Sequence, residues 1–191
     1  MFSNISQLET GSGVFIRYIK IGFEALHMLY NFLPLNPKPY QLFSLLELNM
    51  FVGPGIYYIR NNASSTLFDM DNSRLHLIHG WQKVDNQWNQ KWRVVADPNF
   101  PDMWSLRNME AGQYLNLWQN GSETRLVGSN IQTFWWLTQH SDETTSICFP
   151  ERQDTRVADL HNGSKDNDTP IKLLTWNAER SQKWTFDRIS D

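Results

Sequence analysis

The chain repeats itself, and this repetition limits the folds open to it more than any other feature of the sequence. The segments YYIRNNASSTLFDM (57–70) and WSLRNMEAGQYLNL (104–117) align without a gap at an offset of 47 residues. A weaker third copy, CFPERQDTRVADL (148–160), follows at an offset of 43 residues. Internal similarity at such a period is typical of folds built from repeated units.

A tripeptide marks the end of each unit. Gln90-Lys91-Trp92 and Gln182-Lys183-Trp184 are the same tripeptide, and Thr133-Phe134-Trp135 takes the corresponding place in the second unit. Residues 50–191 therefore contain three units of about 45 residues. Short apolar runs between Asn, Gly, Asp and Ser clusters predict many short strands and tight turns. Propellers close with about four to eight blades, so three all-β units favour a pseudo-threefold barrel.

The tryptophans of these tripeptides are predicted to form the core. Alternation along a strand places the Gln and the Trp of each tripeptide on the same face, and a Trp buries a large apolar area. The Gln amide can satisfy buried backbone groups, so we interpret the tripeptide as a packing device. The residues expected in the core are Trp92, Trp135, Trp184, Phe68, Leu115 and Leu75.

Residues 1–49 differ from the rest of the chain, since all nine tryptophans follow residue 80. The largely apolar stretch 14–32 carries Arg17, Lys20 and Glu24, which argues against a membrane-spanning helix and a signal peptide. We predict a helical or disordered N-terminal extension, 1–49, before an all-β domain, 50–191. Three interpretations of the extension stay open: a poorly ordered segment, an artefact of the gene model, or a helix that binds a membrane surface or a partner.

Composition excludes several classes of function. A net charge of −3 without a run of Lys or Arg lacks the footprint of a nucleic-acid-binding protein. Cys148 is the single cysteine, so no internal disulfide or thiolate metal site can form. His76 and His79 fall in an apparent strand, where residues three apart face opposite sides, which argues against a shared metal ion. Without a phosphate-binding loop, a nucleophile elbow or a specific carboxylate pair, we expect neither a cofactor nor catalysis.

Longer stretches carry a family resemblance. Gln-x-Trp near the end of the first and third units, with a degraded copy in the second, resembles the ricin-B type lectins, and GIYYIRNNAS, LIHGWQKVDNQWNQKW, RLVGSNIQTFWWL and PIKLLTWNAERSQKWTF are similar to fungal members of that family. The resemblance covers residues 53–189. It implies a β-trefoil fold and the non-catalytic binding of terminal galactose or N-acetylgalactosamine on glycans or glycoproteins.

The resemblance also implies a sugar site in the first unit. In the family a carboxylate after the first strands accepts hydrogen bonds from sugar hydroxyls, an aromatic ring covers the apolar face of the sugar, and polar residues precede Gln-x-Trp. Trp88 is the alternative aromatic platform if the loop aligns differently. The matching residues are Asp69, His79, Trp81 and Asn89, with Asp85 as an additional loop residue.

The other two units match this pattern less well. In the third unit Asp159 matches the carboxylate and Trp176 is the candidate platform, but Ser181 stands where the Asn is expected. In the second unit Asn116 replaces the carboxylate, so we expect an inactive or altered site. Without the resemblance, an Asp at these positions is more simply a turn residue that bonds its own backbone.

An alternative function is protein binding through the loops, as a protease inhibitor or an enzyme-associated subunit. For the lectin, single sites of this kind are weak, so avidity would come from several sites or from a homodimer. We expect no integral membrane segment, and a location in the cytoplasm or release without a signal peptide.

Overall fold

A computed structural model of the chain describes residues 52–72, 75–100, 102–151 and 155–190. The predicted N-terminal extension, 1–49, lies outside these described residues. No helix in the described part of the chain is long and apolar enough to cross a membrane.

Twelve strands form in the described residues, and each repeat contributes four of them. Unit 1 comprises β1 Gly55–Asn61, β2 Leu67–Met70, β3 Ile78–Trp81 and β4 Lys91–Ala96. Unit 2 comprises β5 Met103–Asn108, β6 Tyr114–Asn120, β7 Glu123–Ser129 and β8 Phe134–Gln139. Unit 3 comprises β9 Thr145–Cys148, β10 Arg156–Leu160, β11 Thr169–Thr175 and β12 Trp184–Ser190. Two short 3-10 helices, His161–Gly163 and Arg180–Gln182, lie in unit 3.

The first and last strands of the units close a six-stranded antiparallel barrel. Strand β1 pairs with β4, β4 with β5, β5 with β8, β8 with β9, β9 with β12, and β12 returns to β1. The pairing thus alternates within and between units around the whole ring. Closure leaves these six strands without an open edge, which three separate sheets would have exposed.

The second and third strands of each unit form a hairpin, and the three hairpins lie together. They are β2–β3, β6–β7 and β10–β11. Strand β11 also pairs with β3 and with β7, and Leu77 forms a bridge with Val127. A six-stranded barrel with three such hairpins is a β-trefoil, so the fold predicted from the repeats is confirmed.

Each unit ties its closing tryptophan to its own hairpin. The three indole rings are completely buried, and each indole N–H donates a hydrogen bond to the backbone carbonyl at the corresponding hairpin position. Because a buried indole N–H without a partner is costly, these bonds fix where each hairpin meets the barrel. The three bonds are Trp92 Nε1 to Phe68 O (2.9 Å), Trp135 Nε1 to Leu115 O (3.1 Å) and Trp184 Nε1 to Ala158 O (3.0 Å).

The predicted core is largely confirmed, with one error. Phe68 is fully buried and packs edge-on against Trp92 and Trp184, with ring centroids 5.7 and 4.7 Å apart. Leu115 is also fully buried. The prediction for Leu75 was wrong, because this residue lies in the connection between β2 and β3 and is 59% exposed.

We expect Trp135→Phe to lower the free energy of unfolding by about 2–4 kcal/mol, because it leaves the Leu115 carbonyl without its donor and removes buried ring volume. Urea denaturation followed by circular dichroism measures the change. The matched control is Trp88→Phe, at a side chain that is 51% exposed, and its change should stay within about 0.5 kcal/mol. Equal effects of the two substitutions would contradict the structural role of Trp135.

Candidate functional site

The hairpin of unit 1 brings Asp69 and His79 side by side. Asp69 on β2 is the direct antiparallel partner of His79 on β3. Trp81 follows two residues later and therefore leaves the strand on the same side as His79. Asn89 and Gln90 arrive from the segment just before β4, so three separate parts of the unit contribute to one place.

The Asp69 carboxylate is the centre of a hydrogen-bond network. Oδ1 accepts a hydrogen bond from His79 Nε2 (3.0 Å) and another from Asn89 Nδ2 (2.9 Å), and Oδ2 accepts one from Gln90 Nε2 (2.9 Å). Asp69 is only 4% exposed, and a buried carboxylate needs such donors. A carboxylate offers about four acceptor positions. One position, on Oδ2, is left for a further donor.

The Asn89 amide supplies a second acceptor. Its Nδ2 also donates to the Met70 carbonyl (3.2 Å), so two acceptors fix the orientation of the amide. Its Oδ1 is buried and receives no hydrogen bond from the described residues. Such an orphaned acceptor is uncommon in native proteins and favours a missing donor from water or a ligand.

Two aromatic rings stand beside these acceptors. The ring centroids of His79 and Trp81 are 5.3 Å apart, and the ring planes are tilted by 33°. Both rings line a shallow cavity of about 260 Å³ together with Asp69, Asn89 and Gln90. Drug-sized ligands occupy pockets of about 300–1,000 Å³, so this cavity suits one small polar ring. Asp71, Asn72, Val84 and Gln87 complete the described lining.

The structure does not bring two of the candidate residues into this cavity. The Asp85 carboxylate is 90% exposed and lies 4.0 Å from Lys83 Nζ, and Asp85 is not among the lining residues. Trp88 is half exposed and is covered by the Lys91 ammonium, 4.2 Å from its ring centroid. Of the two alternative platforms, Trp81 is the one that lines the cavity.

Gln90 is a site residue that the sequence analysis assigned to packing alone. Its Nε2 donates to the Gln82 carbonyl (2.9 Å) as well as to Asp69, and its Oε1 accepts from the Val84 N–H (3.0 Å). Gln90 thus satisfies buried backbone groups, as expected, and also holds the carboxylate. Its place directly after Asn89 is the signal that could have revealed the second role.

A second missed residue comes from unit 3. Asp168, in the connection between β10 and β11, places its Oδ1 2.8 Å from His79 Nδ1. No spacing in the sequence links these two residues, because the contact depends on the pairing of β11 with β3.

Unit 3 repeats the carboxylate and the Gln but little else of the site. Gln182 Nε2 donates to Asp159 Oδ2 (2.7 Å) and to the Thr175 carbonyl (2.9 Å). Burial raises the pKa of Asp159, and hydrogen bonds from Gln182 and Ser181 offset this only in part. Ser181 cannot supply the second amide that Asn89 provides in unit 1.

The pair of aromatic rings in unit 1, His79 and Trp81, has no counterpart in unit 3. Lys172 pairs with Asp159 where His79 pairs with Asp69, and its Nζ lies 3.3 Å from Glu123 Oε1. Two residues further on, Leu174 occupies the position of Trp81. The ring of Trp176 stacks on His140 instead, with centroids 4.9 Å apart and planes parallel within 1°, so one face of this candidate platform is covered.

The corresponding cavity of unit 2 is larger and mainly apolar. It measures about 320 Å³. Asn116 Nδ2 donates to Thr133 Oγ1 (2.8 Å) and to the Ile131 carbonyl (3.2 Å), so this amide is engaged within the protein. Val127 stands opposite Asn116, where unit 1 has His79. The described lining residues are Leu75, Leu77, Asn116, Leu117, Trp118, Val127, Gly128, Ser129 and Ile131.

Metal binding has no support in the part of the chain that the structure describes. It holds no group of three or more His, Cys, Asp or Glu side chains arranged to bind a metal ion. His76 lies before β3 in a left-handed backbone conformation with φ of 46°, so it does not share the strand of His79.

The comparisons with known proteins agree with this fold. Residues 39–133 and 88–174 match the family model described as ricin-type beta-trefoil lectin domain-like. The chain therefore belongs to the ricin-type β-trefoil lectin family. No curated protein matches the chain in sequence.

Solved structures extend the likeness over the whole described domain. The Rhizoctonia solani agglutinin is 24% identical with a TM-score of 0.65, and the match covers 72% of this chain and 97% of that one. The Macrolepiota procera ricin B-like lectin, solved in complex with lactose, is 26% identical with a TM-score of 0.64 and coverage of 72% and 99%. The Polyporus squamosus lectin, solved with a sialylated glycan epitope, is 22% identical with a TM-score of 0.58 and coverage of 72% and 50%.

We expect Asp159→Asn to stabilise the protein at neutral pH. Because the folded-state pKa of Asp159 is raised, the native state binds more protons than the unfolded state between the ordinary carboxyl pKa and the raised value. The contribution of Asp159 to stability therefore falls as pH rises through this window. An Asn side chain still accepts the Gln182 hydrogen bond without a buried charge, as Asn116 occupies the equivalent position in unit 2.

Urea denaturation at several pH values above the ordinary carboxyl pKa tests this expectation. The Asp159→Asn variant should be more stable than the wild type at neutral pH and should lose less stability as pH rises. Asp85→Asn, at a carboxylate 90% exposed, is the control and should change neither property. A variant less stable than the wild type throughout would show that the Asp159 charge is favourable.

Proposed function

We propose that this protein is a non-catalytic lectin whose unit 1 cavity binds a terminal galactose or N-acetylgalactosamine of glycans or glycoproteins. One observation carries the proposal. The Asp69 carboxylate is held by three protein donors with one acceptor position left on Oδ2, and Asn89, whose buried Oδ1 receives no hydrogen bond from the described residues, lines the same cavity.

These acceptors suit adjacent hydroxyl groups. Two neighbouring hydroxyls of a sugar ring can bond the side chains of Asp69 and Asn89, and the bond to the carboxylate is strengthened by its charge. The apolar face of a galactose-like ring would then lie against His79 and Trp81. The Macrolepiota procera lectin was solved with lactose, a disaccharide that ends in galactose, which supports this choice of sugar.

The side chains around the hairpins of the three units point to one main site. Unit 2 presents apolar side chains and an engaged amide, and unit 3 lacks the second amide and the aromatic pair. A cavity of about 260 Å³ offers few contacts, so single-site affinity should be low. Useful affinity for a glycoprotein would come from several chains, as in a homodimer, or from a weaker contribution of the Asp159 site with Trp176.

We also propose that residues 50–191 form the carbohydrate-binding domain and that 1–49 is an extension. The described strands from β1 to β12 close a barrel without any residue before 52. The fragment 50–191 should therefore bind the same glycans on an array as the full chain.

We expect Asp69→Asn to weaken lactose binding by about 10- to 100-fold. The substitution removes the charge from the acceptor at the centre of the site, and hydrogen bonds to charged groups contribute about 1.5–3 kcal/mol each. Isothermal titration calorimetry and a glycan array measure the loss. Asn116 occupies the equivalent position in unit 2, so the fold should accept this side chain.

The controls are Asp159→Asn, the same change in unit 3, and Asp85→Asn, outside the cavity. Both should retain lactose binding within a few-fold of the wild type. Unchanged binding by Asp69→Asn would contradict the assignment of the site. A wild-type chain that ignores galactosides but is retained on immobilised proteases would instead favour a protein-binding trefoil.

A further inference from the structure

His79 lies where two units of the trefoil meet. Its strand, β3, pairs with β11 of unit 3, with His79 opposite Pro170. The turn that precedes β11 therefore reaches the rim of the unit 1 cavity. From that turn Asp168 places Oδ1 2.8 Å from His79 Nδ1, and its side chain is otherwise 79% exposed.

The same turn holds the end of the aromatic segment through a second bond. Asn167 Oδ1 accepts a hydrogen bond from the Gln82 N–H (2.7 Å), and the Gln82 carbonyl accepts one from Gln90 Nε2 (2.9 Å). Asp168 itself has a left-handed backbone with φ of 64°, a conformation that Asp adopts more readily than most residues. The turn before β11 thus contacts the segment that carries Trp81 at two points, His79 and Gln82, which lie on either side of Trp81.

The contacts of His79 favour the doubly protonated ring. Nε2 faces Asp69 Oδ1 at 3.0 Å, and Nδ1 faces Asp168 Oδ1 at 2.8 Å. An ionised carboxylate only accepts hydrogen bonds, so both ring nitrogens must carry a proton to satisfy both contacts. Burial lowers the pKa of His79, but the hydrogen bonds and charges of Asp69 and Asp168 outweigh it and hold this pKa above its ordinary value.

The charged side chains that act on the imidazole are acidic, whereas Lys172 on β11 pairs with Glu123. Asp69 faces it from β2 and Asp168 from the turn before β11, and Asp71 lines the cavity from the segment after β2. Among the described lining residues, His79 is the one that can carry a positive charge.

We propose that Asp168 of unit 3 is a positioning residue of the unit 1 sugar site, which keeps His79 as a doubly donating imidazolium so that saccharide affinity falls when His79 loses its proton. The proposal rests on the proposed function of that cavity. In this proposal two units form the site, because Asp168 of unit 3 reaches His79 of unit 1 where β3 pairs with β11.

Deprotonation has a definite structural consequence. A neutral imidazole carries one proton, so one nitrogen then turns a lone pair towards a carboxylate oxygen. Asp69 is buried and stays in place through Asn89 and Gln90, whereas Asp168 is exposed and can turn to water. The His79 ring then loses its hydrogen bond to Asp168, and its position beside the Trp81 ring is less firmly held. Because the folded-state pKa of His79 is raised, the stabilisation that its protonated ring gives to the site is present at low pH and is lost as pH rises through that pKa.

The test compares wild-type, Asp168→Asn and Asp166→Asn full-length chains. NMR titration of the His79 ring gives its pKa, and calorimetry with lactose from about pH 5 to pH 9 gives the affinity profile. The Asp166 carboxylate accepts from Ser164 Oγ in the same turn, so Asp166→Asn is the matched control for a change of charge without contact to His79.

We expect Asp168→Asn to lower the pKa of His79, to weaken lactose binding about two- to tenfold at the acidic end, and to shift the fall in affinity to lower pH. Asp166→Asn should keep the wild-type pKa and profile. A merely structural role of Asp168 would change affinity equally at every pH, and this result would overturn the proposal.

Two other results separate this proposal from the function on which it rests. A wild-type chain that binds lactose, with Asp168→Asn giving the same His79 pKa and the same affinity profile, would overturn the role of Asp168 alone. A wild-type chain that binds no lactose at any pH would overturn the proposed function, and the positioning role with it.

Discussion

The hydrogen bond from each closing tryptophan to its hairpin is the interaction on which the rest of this structure depends. It joins the barrel to the hairpin at the backbone carbonyl just before Asp69, Asn116 or Asp159. The position of the candidate ligand-binding carboxylate is therefore attached to a completely buried ring of its unit. In units 1 and 3 the Gln two residues before that ring donates to the same carboxylate, so packing and binding share one tripeptide.

This shared framework explains how three similar units can differ in the residues of their hairpin sites. The indole bond is present in all three units, so the fold accepts changes in the residues that surround the carboxylate position. Unit 1 keeps the carboxylate, the second amide and an aromatic pair. Unit 2 has replaced the carboxylate and the histidine by Asn116 and Val127, and unit 3 has lost the aromatic pair. The binding chemistry can vary because the core does not rely on it.

The fold could be predicted from the sequence because it follows from local repetition. Matching offsets and the Gln-x-Trp tripeptide identify the units, whereas Asp69, His79 and Asn89 were predicted as site residues from the resemblance to the ricin-B type lectins, and their role stays a prediction. Contacts between units could not be predicted in this way. Asp168 reaches His79 only through the pairing of β11 with β3, and Trp176 is stacked on His140. Leu75 is exposed because the connection between β2 and β3, unlike the strands, has no periodic pattern that specifies a buried face.

A crystal structure of the full chain with lactose tests the account most directly. The account predicts a galactose ring in the unit 1 cavity, with its hydroxyls on Asp69 and Asn89 and its apolar face on His79 and Trp81, and no galactose ring in the unit 2 cavity. Lactose bound in the unit 2 cavity, or bound in unit 1 without a contact to Asp69, would contradict it.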